Sequence, residues 1–455
     1  MSEGTSEGSD RVGAGTPTYL PQWAEELLEQ ARTAPLMRRC GTVVEVVGLT
    51  IESEGPAARV GEMCTVARGG GAPPLAAEVC GFREDRVLLQ PLGRAANIEP
   101  GARVTALGDV LRVGVGPQLL GRVVDALGRP LDEGGPVATQ ERRPTVAQPP
   151  PPMKRQRVNE PLWVGVRAVD GLLTCAKGQR VGIFAGSGVG KSILLGMMAR
   201  DTSADVSVIA LVGERGREVL QFVEEYLGEG VSKSVVVVAT SDEPPLMRLK
   251  AGLTATTIAE YFRDQGQDVL LLMDSVTRLA RAQREVGLAS GEMPTTRGHP
   301  SSVFAVLPEL LERAGPGERG TITGLYTVRV EADDIMEPVA DAVRATLDGH
   351  VVLSRELANR NHYPAIAVTQ SVSRLMDQVI NPQHREAAAE LRDLLAAHED
   401  ARDLISIGAY EAGSNPQVDR ALALLGPMRE FLRQTPEDRT GPEQCQSQLI
   451  ALAGE

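Results

Sequence analysis

Aromatic residues are scarce in this chain: Trp, Tyr and Phe make up 3% of its 455 residues. Stacking platforms for unpaired bases are therefore few. Positive charge is also in deficit, with 47 Lys and Arg against 60 Asp and Glu, a formal net charge of -13 and a pI near 5.1. That argues against a dominant electrostatic grip on nucleic acid, although a basic channel can hide within an acidic chain. The few cysteines, Cys40, Cys64, Cys80, Cys175 and Cys445, form no C-x-x-C pair and have no histidine at metal-ligand spacing, so reduced core cysteines of a cytosolic protein are expected. No apolar run is long enough for a membrane span, and the start M-S-E-G-T-S-E-G-S-D is acidic and polar, unlike a signal peptide. The expected location is the cytoplasm, with membrane touched only at its surface.

At this length one core does not suffice, and about three domains are expected. Residues 1–18, rich in Gly, Ser and Thr, read as a disordered tail. Residues 19–35 read as an amphipathic helix that starts near Pro21 and presents Trp23, Leu27 and Leu28 on one face. That face suits a partner, a lipid surface or its own domain. Residues 36–108 carry short β-branched runs broken by Gly and Pro, T-V-V-E-V-V, A-R-V, C-T-V, A-E-V, R-V-L-L-Q and A-R-V-T-A-L, which suggest a small β-barrel. From 109 to 380, apolar strand-like runs alternate with helix-like ones, interrupted by the proline run Pro149–Pro152, which forbids helix and favours an extended connector. Such alternation predicts an α/β domain with a mostly parallel sheet covered by helices on both faces. Residues 381–455 turn to Ala, Leu, Glu and Arg and read as a helical domain.

The most informative segment is A-G-S-G-V-G-K-S, Ala185 to Ser192, set between the apolar run Arg180 to Phe184 and the helix-like run Ile193 to Arg200. Glycines let successive backbone N–H groups point into one hollow, and the helix start adds the positive end of its dipole. Gly186, Ser187, Gly188, Val189 and Gly190 would cradle the phosphates of ATP. Lys191 would reach the β and γ phosphates, and Ser192 would ligate Mg2+. A glycine-rich turn with a chance lysine is the bland alternative, and the strand, loop and helix order tells against it. Ala185 replaces the usual first glycine, which is tolerable where that residue keeps negative φ.

Asp274 ends the run Val269 to Met273, so a carboxylate stands at the tip of a buried strand, where open α/β sheets bind ligands. A strand-ending Asp is often a helix N-cap. Paired with the phosphate loop it is expected to hold Mg2+ through water. Ser275 follows it, so the Asp-Glu pair of many ATPases is absent. The water-activating carboxylate is instead sought at Glu214, in L-V-G-E-R-G-R-E-V directly after the run Val206 to Val212. If that strand neighbours the loop strand, Glu214 emerges beside the γ phosphate with Arg215 and Arg217 at hand. A solvated charge cluster is the alternative.

Taken together, these motifs resemble the ATPases of bacterial type III secretion and flagellar protein export, which are similar to the α and β subunits of rotary ATP synthases. The resemblance runs from about Gly41 to Leu432 through G-T-V-V-E-V-V-G-L-T-I-E, L-L-G-R-V-V-D-A-L-G-R-P-L-D, the phosphate loop, P-S-S-V-F-A-V-L-P-E-L-L-E-R-A-G, D-G-H-V-V-L-S-R-E-L-A and A-R-D-L-I-S-I-G-A-Y. It implies a RecA-like P-loop core between the barrel and the helical domain, and an Mg-dependent ATPase that energises export by releasing chaperones and unfolding substrates. It further implies a homohexamer with stalk and regulator proteins, peripheral contact with the inner-membrane export gate, and no nucleic acid. The family's arginine finger, acting in trans, matches Arg374 in S-V-S-R, and Tyr363 matches the ring that packs on adenine. One departure is Ala367, where the family carries Asp or Asn before the finger. A rotary-synthase subunit is the alternative enzyme; the chain's I-L-L-G-M-M-A-R and G-E-R-G-R-E-V text resembles the export branch. An RNA-translocating terminator-like hexamer would need aromatics in the barrel, where residues 40–110 hold only Phe82. A non-hydrolysing scaffold would not need Glu214.

Overall fold

The computed structural model describes residues 38–330 and 337–454. The expected tail and amphipathic helix of residues 1–35 lie outside them. Six antiparallel strands, Cys40–Val47, Thr50–Glu54, Glu62–Val66, Leu75–Arg83, Arg86–Pro91 and Arg103–Val110, close into a barrel in the order first, second, fifth, fourth, third, sixth. Alternate side chains fill it, among them Val43, Ile51, Val66, Val79, Leu89 and Val104. The expected strand at Ala58-Arg59-Val60 is irregular backbone, and Thr50–Glu54 takes its place in the barrel. Two of its polar side chains are buried for stated reasons: Ser53 donates to the Gly55 carbonyl at 2.6 Å, and Glu52 accepts from Arg83 and Arg86, each at 3.0 Å.

Beyond the barrel lies a nine-stranded sheet. Its order across is Val372–Ser373, Gly349–Leu353, Arg180–Ala185, Thr321–Arg329, Asp268–Asp274, Val206–Glu214, Ser234–Thr240 and Val123–Asp125, with Gly315–Pro316 paired to Thr321–Arg329 off this path. All are parallel except Val372–Ser373 and Gly315–Pro316. Val206–Glu214 is buried at every position, which is why it reads as a continuous apolar run rather than an alternating one. Helices bury apolar faces on the two sides of the sheet. The proline run is extended and ends in a single 3-10 turn, Pro152–Lys154, and Arg155 fastens it to the sheet domain by donating to the carbonyls of Glu312 at 2.7 Å and Ala314 at 3.2 Å.

The C-terminal part comprises the helices Pro382–Ser406, Pro416–Leu432 and Pro442–Gly454. The first two open with the same device: Asn381 and Asn415 accept from backbone N–H groups of the first turn while proline occupies the next position.

One buried ion pair ties the sheet domain together. Arg313 is 2% exposed and clasps the Glu260 carboxylate at 2.9 and 2.7 Å, while donating to the Thr145 carbonyl and the Thr257 hydroxyl. Removing one partner strands the other charge away from water. Arg313→Met is expected to lower unfolding free energy by about 3–5 kcal/mol in urea titration, and Arg313→Met with Glu260→Met to recover most of that loss.

Candidate nucleotide site

The strand Arg180–Ala185 delivers the chain to the loop, and Ala185 keeps extended backbone paired with Arg329 and Leu353. Val189 is 2% exposed and pins the loop to the core, while Ser187 and Gly188 face solvent. Gly188 and Gly190 have φ of 77° and 80°, which side chains rarely adopt. A Cβ at Gly190 would also meet the Tyr363 ring at 3.2 Å. Helix Lys191–Asp201 follows with no side-chain cap on its first turn, so its N–H groups and dipole are left to an anion.

Three strand ends converge on Lys191. Its ammonium lies 2.5 Å from Asp274 Oδ1 and 3.9 Å from Glu214 Oε1. Asp274 is 3% exposed and also accepts from the Thr327 hydroxyl at 2.7 Å. Ser275, in the place where other ATPases carry Glu, caps the next helix, Val276–Ala289, by accepting from the Arg278 N–H.

Glu214 reaches this cluster by a route other than the expected one. Its strand does not neighbour the loop strand, because Thr321–Arg329 and Asp268–Asp274 lie between them, a lateral offset of about 14 Å at normal strand spacing. The gap is spanned by the long Lys191 stem and by a register shift between Val212 and Glu214, where Gly213 turns the chain with φ of 69°. Burial, then the nearby Asp274 carboxylate, push the Glu214 carboxyl up to about 7, with Lys191 and Arg278 pulling the other way.

Arg278 was missed from sequence because one arginine on a helix face looks ordinary. It sits one turn beyond the Asp274 strand tip, places Nη2 3.1 Å from Glu214 Oε2 and donates to the Gly213 carbonyl. Arg215 is exposed and pairs with Glu218 at 3.4 Å, and Arg217 is exposed, so the structure brings neither onto Lys191. Tyr363, 40% exposed, lies against the loop at Gly190.

Arg374 stands elsewhere. Its N–H donates to the Asp348 carbonyl, and Asp348 also takes the N–H of Arg180. It therefore lies near the start of the loop strand, roughly 15 Å or more from the loop at the other end. The segment before it is held without the polar side chain lost at Ala367: the Ser371 hydroxyl donates to the Ala367 carbonyl at 2.7 Å and accepts from Val352 N–H at 3.0 Å.

The donors fit a hard divalent ion. Ser192 offers an exposed hydroxyl, and Asp274 a carboxylate whose Oδ1 is taken by Lys191 and Thr327. Among the described residues no cluster of three or more His, Cys, Asp or Glu is arranged to hold a metal. One hydroxyl and one carboxylate suit Mg2+, which keeps several waters and leans on substrate phosphates.

Comparison with known proteins gives the family. The nucleotide-binding domain of the ATP synthase alpha/beta family matches residues 165–373, its beta-barrel domain residues 43–108, and the C-terminal domain of the type III secretion ATPase EscN residues 380–451. The flagellum-specific ATP synthase of Bacillus subtilis (strain 168) is 51% identical over 438 residues, covering 94% of this chain and 99% of that protein. The type 3 secretion system ATPase of Xanthomonas euvesicatoria is 49% identical over 427 residues, 94% of this chain and 97% of that one. This chain belongs to the type III export ATPases. Its fold superposes on the assembled ATPase EscN of enteropathogenic E. coli with a TM-score of 0.85 at 46% identity, covering 91% of this chain and 100% of that one. Among the described residues of this export ATPase, no helix is long and apolar enough to cross a membrane.

Because the one ammonium beside the loop faces both carboxylates, Lys191→Ala is expected to weaken ATP binding at least about tenfold by loss of a charge-assisted contact. A fluorescent-nucleotide titration checks this, and unchanged affinity would refute the assignment of the loop.

Proposed function

We propose that the chain hydrolyses ATP with Mg2+ to drive type III protein export, and that Glu214 is the group that orients and deprotonates the attacking water. The observation that carries this reading is the carboxyl of Glu214, buried, raised towards neutrality and within 3.9 Å of the phosphate-reaching ammonium of Lys191. A base with that affinity for protons is matched to work near pH 7. The loop N–H groups and Lys191 would neutralise the β and γ phosphates, Ser192 and Asp274 would hold the metal, the latter through water, and Tyr363 would pack on the base. Bound Mg2+ would supply charge to the leaving phosphate oxygens. Arg278 would keep Glu214 aimed. Arg215 would need a rotamer that leaves Glu218 in order to reach phosphate, so its part is at the rim.

The remoteness of Arg374 from its own loop supports a finger that serves a neighbouring copy in a homohexamer. EscN has been seen assembled, and in complex with its central stalk EscO, at a TM-score of 0.84 to this chain. By the same likeness the partners proposed here are a stalk and regulator proteins, chaperones with their export substrates, and the inner-membrane export gate, met peripherally from the cytoplasm. ATPase activity without a membrane sector, with export components in a pulldown, separates this reading from a rotary-synthase subunit.

Glu214→Gln is expected to bind nucleotide and lose turnover. In the wild type kcat/KM is expected to rise with pH through about 7, because the base must be ionised and its carboxyl is protonated below that value. A profile flat from pH 6 to 8, or an active Glu214→Gln enzyme, would move the role elsewhere. Arg374→Ala is expected to cut turnover by about 10³ to 10⁵. Mixed with Lys191→Ala protein it should regain some activity at mixed interfaces, and no regain in verified mixed assemblies would sink action in trans.

A further inference from the structure

A second cleft lies between the sheet domain and the C-terminal helices. The sheet domain contributes Ser354–His362 and Ile366–Gln370; helix Pro382–Ser406 contributes His398 and Arg402, and helix Pro416–Leu432 contributes Arg429. Neither the phosphate loop nor Lys191, Glu214 or Asp274 lines it. Its volume is about 150 Å³, room for roughly five waters or a small oxyanion.

What the cleft presents is a set of solvent-facing donors without a protein partner. His362 is 6% exposed, yet its imidazole has no hydrogen-bond partner among the described residues, and the same holds for His398. Arg429 makes no ion pair there and lies close enough to both rings to disfavour their protonation. Burial first, then Arg433 and Arg429, push the His362 imidazole down to about 4, so the ring is neutral and offers one N–H. The acids on the lining are engaged: Glu356 takes Arg360 and Arg402, and Glu399 takes the Thr369 hydroxyl at 2.6 Å. Three guanidinium groups against two carboxylates leave one positive charge in a chain whose net charge is -13. These donors face the open cleft, where an acceptor bound between them would replace water and gain charge-assisted hydrogen bonds.

We propose that this cleft is a binding site for a small oxyanion, a phosphate or polycarboxylate, held by Arg429, His398 and His362. Its position links it to the nucleotide site. His362 is bonded in sequence to Tyr363, whose ring lies on Gly190 of the phosphate loop. Gln434, two residues past the cleft-lining Leu432, donates its N–H to the Tyr363 carbonyl at 2.9 Å. An anion that draws the two walls together therefore acts on the Tyr363 segment, and occupancy of the cleft shifts affinity for nucleotide.

The test uses the full chain saturated with a non-hydrolysable ATP analogue and Mg2+, so that the phosphate loop is filled, at constant ionic strength. Inorganic phosphate and citrate are titrated separately by calorimetry. Saturable binding of either anion, weakened about tenfold or more in Arg429→Gln and in His398→Asn but kept in Arg94→Gln, supports the site, and the anion that binds names the class. The Arg94 variant removes the same charge from an exposed position outside the cleft. His398→Asn is the conservative change should Arg429→Gln disturb packing, as judged by its melting curve. No saturable binding of either anion, or equal binding in the His398 variant, overturns the proposal. An apparent KM for ATP that does not move with the bound anion overturns the link to the nucleotide site. Loss of catalysis in Glu214→Gln is a separate readout and leaves this result untouched.

Discussion

The placement of one ammonium group organises the catalytic half of this molecule. Lys191 stands where the loop strand, the Asp274 strand and the Glu214 strand point their carboxyl ends, and it touches a carboxylate from each of the latter two. In a parallel sheet all strands deliver their C-terminal ends to one edge, so groups far apart in sequence meet there as a consequence of topology. Two acids held this close would repel each other. The cations Lys191 and Arg278 offset that repulsion only in part, which leaves Glu214 with a proton affinity near neutrality while the more deeply hydrogen-bonded Asp274 accepts from Thr327 and Lys191.

This arrangement also explains what the flanking sequence must be. A side chain at Gly190 would be strained, because its φ is positive and a Cβ would crowd the Tyr363 ring at 3.2 Å. Ser275 carries a hydroxyl rather than a carboxylate, and it serves as the cap of the helix that carries Arg278. That helix is in turn aimed by its start at the Asp274 tip, so one strand end fixes the Asp274 carboxylate, the cap and the arginine behind Glu214 together.

How much of this could be read from the sequence depended on how local each signal was. The phosphate loop is contiguous, and eight residues carry its whole mechanism. Glu214 was legible as a strand-ending carboxylate, but the assumed adjacency to the loop strand was not, since strand order is set by packing of distant helices. The barrel strand Thr50–Glu54 escaped because T-I-E-S-E looks polar; its Glu52 and Ser53 are buried only through partners at Arg83, Arg86 and Gly55. Arg278 escaped for the opposite reason, being an ordinary charge until the fold brings Gly213 and Glu214 to it. At Ala367, conspicuous as a departure from the family pattern, the backbone is held by the Ser371 hydroxyl, which donates to the Ala367 carbonyl and accepts from the Val352 N–H.

The position of Arg374 follows from strand geometry alone. Parallel strands put the phosphate loop at one edge of the sheet, while the antiparallel return of Val372–Ser373 carries the chain back to the other. A residue placed after that return is excluded from its own active site by the length of a strand, about 16 Å for five residues of rise. A transition state that spreads charge over three phosphate oxygens still needs a cation opposite Lys191. Among the candidates, Arg278 is spent on Glu214, and Arg215 is turned to Glu218. Arg374, by contrast, is exposed and lies a strand's length from the loop of its own chain, the placement on which the proposed action in trans rests.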